Sequence, residues 1–162
     1  MPAVYRHAED AIAVDRHMID KLIASAQQEP KRRARFNLHR TDGNAIQEMI
    51  IAFCGDSLNM PHRHHGKSES MHVLRGRVSV VIFDDGGKIM RRITLGPPWG
   101  AEPCVLRMEA PLWHTVIPID DVVVVHETTN GPFVQGGNME VPTWAPKPDK
   151  LGDFIRKLKE AA

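Results

Sequence analysis

The sequence predicts an all-β protein, a sandwich or a small barrel, with a helix near each end. Between residues 45 and 130 the chain consists of short segments rich in Val, Ile, Thr and Phe, with turn residues between them. No helical segment separates these strands, which argues against a parallel sheet. The chain has 162 residues, enough for one domain with a real core.

The first element is a helix over residues 15–28. Apolar residues recur there at helical spacing, namely Met18, Ile19, Leu22, Ile23 and Ala26. Asp15 can cap the start of the helix, and Pro30 disfavours a helical residue before it. The basic run KRRAR follows at residues 31–35. We expect a solvated linker there, and an edge that contacts phosphate groups is the alternative.

The strands follow one another closely along the chain. The sequence Asp85-Gly86-Gly87 between two of them is typical of a β-hairpin turn. The predicted strands cover residues 45–53, 69–76, 77–84, 87–95, 104–110, 115–119 and 122–129.

The C-terminal part is predicted to be irregular and then helical. Residues after 130 are rich in Gly and Pro and should wrap the barrel. Leu151, Phe154, Ile155 and Leu158 then recur at helical spacing. We expect this short helix to pack on its own barrel, with a partner subunit as the alternative. The chain therefore divides into residues 1–44, 45–130 and 131–162 within one structural domain.

Composition excludes several classes of function. The formal net charge of +1 favours neither a nucleic-acid partner nor a membrane. Cys54 and Cys104 form neither a metal-type pair nor a disulfide framework. The N-terminus has no apolar leader, and no segment is apolar for long enough to span a bilayer. We therefore expect a cytoplasmic protein.

The segment HRHHGKSES, residues 62–70, carries the strongest chemical signal. His62 and His64 would leave the same face of a strand, and Glu69 opens the next strand across a turn. His114 lies at the start of a later strand. Three imidazoles and one carboxylate suit Fe, Mn, Ni, Zn or Cu as divalent ions better than calcium or magnesium.

The spacing of these residues resembles the first motif of the cupins. It is written here GDSLNMPHRHHGKSESMHVLRG, residues 55–76, and a second motif is matched by EAPLWHTVIP at 109–118. The second motif lacks the glycine usual between its proline and histidine, and Trp113 stands there instead. The resemblance implies a double-stranded β-helix, or jelly-roll barrel, with His62, His64, Glu69 and His114 as ligands of one metal ion.

A narrower resemblance is to the WbuC family of cupin-fold metalloproteins, a family linked by name to bacterial O-antigen gene clusters. It implies a mononuclear metal in the barrel mouth and frequently a homodimer, but no particular reaction. The matching segments are RRARFNLH (32–39), PHRH (61–64), VLRGRVSVVIFDDGGKI (73–89), PLWHT (111–115), HETTNGPF (126–133) and TWAP (143–146).

Glu127 is the candidate catalytic residue. It shares a strand face with Val123 and Val125, and a carboxylate among inward valines is costly unless it is paired or functional. It is either a general base beside the metal or a rim residue that meets solvent.

Other polar and aromatic residues have weaker signals. Asn37 and His39 either approach the barrel mouth or are ordinary edge residues. His65 lies in a turn and His72 on the outer face, so neither is expected to bind the metal. Trp99, Trp113 and Trp144 are expected to pack, and Trp113 could also wall the pocket.

The function predicted is that of a metal-binding cupin. Its metal, as a Lewis acid, would act on or bind a small oxygen-rich metabolite, such as a sugar or sugar nucleotide of polysaccharide synthesis. The alternatives are a non-catalytic ligand-binding or sensory cupin, an iron-dependent dioxygenase, and a barrel whose metal is mainly structural.

Overall fold

Two facing antiparallel sheets form the body of the protein. The computed structural model describes residues 3–109, 111–134, 136–137 and 139–161. The helices are α1 (Arg16–Gln28) and α2 (Leu151–Glu160), the second preceded by a 3-10 turn at Pro148–Lys150. The strands are β1 (Ala3–Tyr5), β2 (Arg33–Asn37), β3 (Ile46–Cys54), β4 (Arg63–His64), β5 (Glu69–Arg75), β6 (Val78–Phe83), β7 (Ile89–Leu95), β8 (Val105–Met108), β9 (Trp113–Pro118), β10 (Val122–Asn130) and β11 (Met139–Glu140).

The strand order is that of a jelly roll, which confirms the predicted fold class. The large sheet has the order β1-β2-β3-β10-β5-β8, and the smaller one β7-β6-β9. A two-stranded ribbon joins β4 to β11. Only the β1–β2 pair is parallel among these ladders. The barrel interior between the sheets is filled by Met49, Ile51, Phe53, Met71, Val73, Val78, Val80, Leu95, Met108, Val116, Val123 and Val125.

Helix α1 covers the outer face of the large sheet. The Asp15 carboxylate accepts a hydrogen bond from the Met18 amide at 2.8 Å, and the helix ends at Gln28, as the sequence predicts. Its buried residues Leu22, Ile23 and Ala26 pack on outward residues of β2, β3 and β10.

Helix α2 covers the outer face of the small sheet. Leu151, Ile155 and Leu158 pack against Val81, Phe83, Trp113 and Ile117. The prediction that this helix packs on its own barrel is confirmed. In the described part of the chain, no helix has the length and apolar character needed to cross a membrane.

Two turns show why the strands pair as they do. The predicted hairpin joins β6 to β7, and its Asp84 carboxylate accepts hydrogen bonds from the amides of Gly86 and Lys88. Gly76 links β5 to β6 with a φ of +71°, and a Cβ there would lie 2.3 Å from the carbonyl oxygen of Val122. Only glycine fits this position.

Several expectations were wrong or incomplete. The basic run is not a solvated linker, because β2 begins at Arg33 and pairs with β3. Trp99 does not pack, since it is 79% exposed. The strand predicted at 104–110 is β8, Val105–Met108, and Ala110 lies outside the described residues. The short strands β1, β4 and β11 have too few residues to give a period-2 pattern. The division of the chain at residues 44 and 130 stays a prediction.

Candidate metal centre

Three predicted ligands come from two chain segments that the backbone joins. His62 and His64 flank Arg63 at β4, and His114 lies in β9. His62 and His114 form an antiparallel bridge, with N–H···O distances of 2.9 and 2.8 Å. The ring centroid of His62 lies 4.5 Å from the ring centroid of His114 and 4.9 Å from that of His64. The three imidazoles therefore form one cluster.

Glu69, the first residue of β5, completes the cluster. Its Oε1 lies 3.2 Å from His64 Nε2, and its Oε2 lies 3.4 Å from His114 Nε2. The side chain of Glu69 is 13% exposed, and that of His114 is 5% exposed. One carboxylate thus faces two imidazoles in a largely buried position.

The backbone fixes the orientation of two of the rings. His62 Nδ1 lies 2.8 Å from the Met60 carbonyl oxygen, and His114 Nδ1 lies 3.0 Å from that of Leu112. A carbonyl oxygen only accepts, so each Nδ1 carries the proton and donates it. Each Nε2 then keeps its lone pair, which is the arrangement that metal-binding histidines use.

Burial sets the charge of these groups. It lowers the pKa of His62 to about 3, with the neighbouring His114 contributing in the same direction, and it also lowers the pKa of His114. Both rings are therefore neutral at pH 7, as a ligand must be. Burial raises the pKa of Glu69 to about 7, while the charge of Lys67 opposes the shift.

The donor set fits a divalent transition ion by its chemistry. Three imidazoles and one carboxylate are the ligand types that iron, manganese, nickel and zinc accept. No group of three or more His, Cys, Asp or Glu side chains among the described residues already has the spacing of a metal site.

Glu127 lies on the inward face of β10 beside this cluster and is half-buried. In β10 it is opposite Met49 of β3 and Met71 of β5, both of which belong to the barrel core. Burial, and then the charge of Glu69, raise the pKa of Glu127 to about 7. The charges of His114, Arg35 and Arg33 oppose that shift. Such a carboxyl can hold or release a proton near neutral pH.

Strand β2 brings polar residues into the barrel that the sequence interpretation left outside. Arg33, Arg35 and Asn37 lie opposite Phe53, Ile51 and Met49 of β3, which face the interior. Ala34, Phe36 and Leu38 alternate with them and face α1. This period-2 alternation is the sequence signal that could have identified the strand.

The remaining predicted residues occupy different surroundings. His65 Nε2 lies 2.5 Å from the Glu140 carboxylate, away from the cluster. His72 lies opposite His126 across the β5–β10 ladder, on the face opposite to that of Met71. Asn37 and His39 are both buried near the barrel mouth, and the His39 Nδ1 lies 2.9 Å from the carbonyl oxygen and 3.0 Å from the amide nitrogen of Glu48.

Two tryptophans pack on the outer side of the small sheet. Trp113 and Trp144 have ring centroids 6.3 Å apart, and the Trp113 Nε1 donates to Asp85 at 2.9 Å. Trp113 does not wall the metal cluster, because it points to the opposite face from its neighbour His114 and packs near α2.

A family model described as Domain of unknown function (DUF6016) matches residues 14–95. The match covers 82 residues, half of the chain, and includes His62, His64 and Glu69 but not His114. No match to the sequence was found among curated proteins.

Several solved structures have a fold similar to that of this chain. Protein SO0799 from Shewanella oneidensis has a TM-score of 0.61 at 10% identity, with 87% of this chain and 92% of that chain covered. An oxalate oxidase in complex with the substrate analogue glycolate has a TM-score of 0.53 at 15% identity, covering 83% and 74%. The capsular polysaccharide assembling protein CapF from Staphylococcus aureus has a TM-score of 0.56 at 14% identity. The similarity covers 67% of this chain and only 29% of CapF. The shared fold is that of the cupins.

Proposed function

We propose a function from the chemistry of the site, since the chain belongs to the family described as Domain of unknown function (DUF6016), a description that specifies no activity. The proposal is a mononuclear metal-binding cupin of the WbuC type. His62, His64, Glu69 and His114 would hold one divalent transition ion, either iron, manganese, nickel or zinc. When bound, such an ion supplies Lewis acidity toward an oxygen atom of a small ligand.

One observation carries this proposal. The carboxylate of Glu69 lies 3.2 and 3.4 Å from the Nε2 atoms of His64 and His114, and the backbone fixes the tautomer of His114. A neutral imidazole whose lone pair is turned toward a carboxylate is a ready ligand pair. A purely structural polar cluster has no need of two imidazoles on one acid with a third imidazole packed beside them.

The chain's own residues supply the other parts of a mechanism. Glu127 faces the interior with a pKa of about 7, so it is the residue suited to hold a proton or to take one from a bound ligand. The walls of the barrel limit the entry of water at this end, since Met49, Met71 and Met108 are all buried there. A bound metal ion with Glu127 as a proton carrier beside it would indicate an enzyme. A protein that only binds its ligand needs the metal but not Glu127.

The ligand is a small oxygen-rich metabolite, and the polysaccharide connection supports a sugar or a sugar nucleotide. The WbuC resemblance carries that connection, and CapF, which shares the fold, is described as a capsular polysaccharide assembling protein. The alternatives remain a non-catalytic sensory or ligand-binding cupin and an iron-dependent dioxygenase. A structural role for the metal predicts a sharp loss of stability on chelation.

Elemental analysis tests the proposal directly. The protein is purified without an affinity metal, and the metal per chain is measured for the native sequence and for the pair His64→Ala with His114→Ala. About one equivalent of a transition metal in the native protein only is expected. His65→Ala with His72→Ala is the matched control, which should keep its metal. An equal, background-level metal content in all three folded proteins would contradict the metalloprotein proposal.

Two further properties belong to the same proposal. A homodimer would cover the sheet edges at β1 and β8, which end the large sheet. Light scattering after gel filtration measures the mass, and a mass of one chain contradicts the dimer. A cytoplasmic location agrees with the two free cysteines, of which Cys54 is buried.

A further inference from the structure

A second pocket lies beside the histidine cluster, at the same end of the barrel. It encloses about 290 Å³ of empty space, part of which opens to solvent. Lys67 lines both this pocket and the smaller space of about 180 Å³ at His64, Glu69 and His114. The second pocket is lined by Arg35, Asn37, His39, Thr129 and Phe133, among others. We refer to it below as the Arg35 pocket.

Three buried polar atoms in the Arg35 pocket lack a partner. Within the described residues, Arg35 Nε, Asn37 Oδ1 and Thr129 Oγ1 make no hydrogen bond. Asn37 is only 1% exposed. Buried polar atoms are nearly always hydrogen-bonded, and an unpaired one is costly. Three of them in one small pocket therefore indicate that a polar ligand satisfies them.

The two cations of the pocket make no direct ion pair within the described residues, although Arg35 interacts electrostatically with Glu127 and Lys67 with Glu69. Lys67 is 7% exposed, and no ion pair to it or to Arg35 occurs among the described residues. Asp42 also lines the pocket, but its carboxylate is engaged by Arg6 at 2.6 Å. Buried lysines are rare unless paired. The pocket therefore favours an anion.

The neutral polar atoms of the pocket, on Asn37 and Thr129, restrict further which ligand groups can bind there. An amide oxygen such as Asn37 Oδ1 only accepts hydrogen bonds, so it pairs with a donor and not with a carboxylate. Thr129 Oγ1 can both donate and accept. Thr129 lies directly opposite Glu69 across the β10–β5 ladder, so the hydroxyl side of the pocket is the side nearest the histidine cluster.

We propose that the Arg35 pocket binds a small hydroxy acid, with Arg35 and Lys67 on its carboxylate and Asn37 and Thr129 on its hydroxyl groups. This deepens the proposed function, on which it rests, by narrowing its small oxygen-rich metabolite to a hydroxy acid in place of a sugar nucleotide. The space of about 290 Å³ includes a part that is open to solvent, so the ligand that fits it is a small molecule such as a short hydroxy acid. A whole sugar nucleotide is too large for it.

Calorimetry with three matched probes tests the proposal on the protein as purified. Glycerate carries a carboxylate and hydroxyls, propanoate has only the carboxylate, and glycerol has only hydroxyls. Glycerate is expected to bind, propanoate to bind at least about fivefold more weakly, and glycerol to give no heat at the same concentrations. Arg35→Met and Lys67→Met should each weaken glycerate binding by at least about tenfold.

The Thr129→Val variant tests recognition of the ligand's hydroxyl groups separately from recognition of its carboxylate. It keeps the β-branched shape and removes one hydroxyl, so the strand should fold unchanged. Glycerate should then bind no better than propanoate, while propanoate affinity stays as in the native protein. Arg91→Met, at an exposed position of β7, is the matched control and should change neither.

The outcomes also separate this inference from the metal proposal, because metal content is measured on every variant. Metal present with no preference for glycerate over propanoate would overturn the hydroxy-acid assignment alone. Glycerate binding that survives in a metal-free protein supports the pocket, even if the metal proposal fails. Binding that Arg35→Met, Lys67→Met and Thr129→Val all leave unchanged would overturn the inference.

Discussion

His62 and His114 exchange two backbone hydrogen bonds, with N–H···O distances of 2.9 and 2.8 Å. These bonds hold two candidate ligands from distant parts of the sequence side by side, whatever their side chains do. The ring positions are then refined by the carbonyls of Met60 and Leu112. Replacing one imidazole should therefore remove a ligand and leave the bridge between the two segments in place.

His62→Ala is expected to weaken binding of Ni(II) by at least about tenfold, since the loss of even an indirect partner of a metal ligand costs that much. Calorimetric titration of chelator-treated protein measures the affinity. His72→Ala, in β5 and directed away from the interior, should leave the affinity unchanged. Equal affinities of the two variants would contradict the assignment of His62.

Glu69 and Glu127 offer a comparison between two inward carboxyl groups. Glu69→Gln should lower metal content, because Glu69 lies within 3.4 Å of two imidazole Nε2 atoms. Glu127→Gln should keep about one equivalent of metal, since Glu69 is the carboxylate that lies 3.2 and 3.4 Å from the Nε2 atoms of His64 and His114. Elemental analysis of both variants measures the metal content per chain and tests both expectations. Loss of metal in Glu127→Gln would make Glu127 a ligand and remove it as the proton carrier.

His39 should make the folded protein less stable in mild acid. Burial, with the charges of Arg6 and Arg35, lowers the pKa of His39 below its ordinary value of 6.5, against opposing contributions from the Glu48 backbone and Asp42. The unfolded chain therefore binds the proton more readily, and stability falls as the pH drops below about 6.5. One such group contributes at most about 1.4 kcal/mol per pH unit.

Urea unfolding at pH 7.5, 6.5 and 5.5 measures this effect by comparing the native protein with His39→Asn. Asparagine can still accept from the Glu48 amide through its side-chain oxygen but does not titrate. The native protein should lose more stability than the variant between pH 6.5 and 5.5. Parallel losses would show that His39 does not contribute to the pH dependence.

Alanine substitutions at Gly76 and Gly66 distinguish the cost of a steric clash from the cost of backbone strain. Both have positive φ, +71° and +68°, but a Cβ at Gly66 meets nothing within 4 Å, whereas one at Gly76 meets the Val122 carbonyl oxygen at 2.3 Å. Gly66→Ala should cost about 1 kcal/mol and Gly76→Ala about 3 kcal/mol or more, as measured by urea unfolding. Equal costs would contradict the close approach at Gly76.

The sequence predicted most of the fold because its strands and helices follow simple periods. Helix α1 has both an apolar stripe and a capping aspartate, and the β6–β7 hairpin has its Asp-Gly-Gly turn. Strand β2 was missed because its charged residues, Arg33 and Arg35, were taken as a sign of solvent. In the structure they face the barrel interior, and the apolar residues between them face α1.

The candidate site was predictable only in part, for a related reason. Motif spacing identified His62, His64, Glu69 and His114, which the structure brings together. The Arg35 pocket depends on the cross-strand register of β2, β3 and β10, which no local pattern contains. Trp99 resembles a core residue by type alone, and only the tertiary structure shows that it is exposed.

The division of apolar packing into three clusters has a consequence for how this protein can change over generations. Two of the clusters lie under α1 and α2, on the outer faces of the sheets, and are separate from the cluster that fills the barrel interior. They can maintain the fold while residues of the mouth are exchanged one at a time. Ligand preference is therefore free to diverge among descendants of this chain without a matching loss of the scaffold.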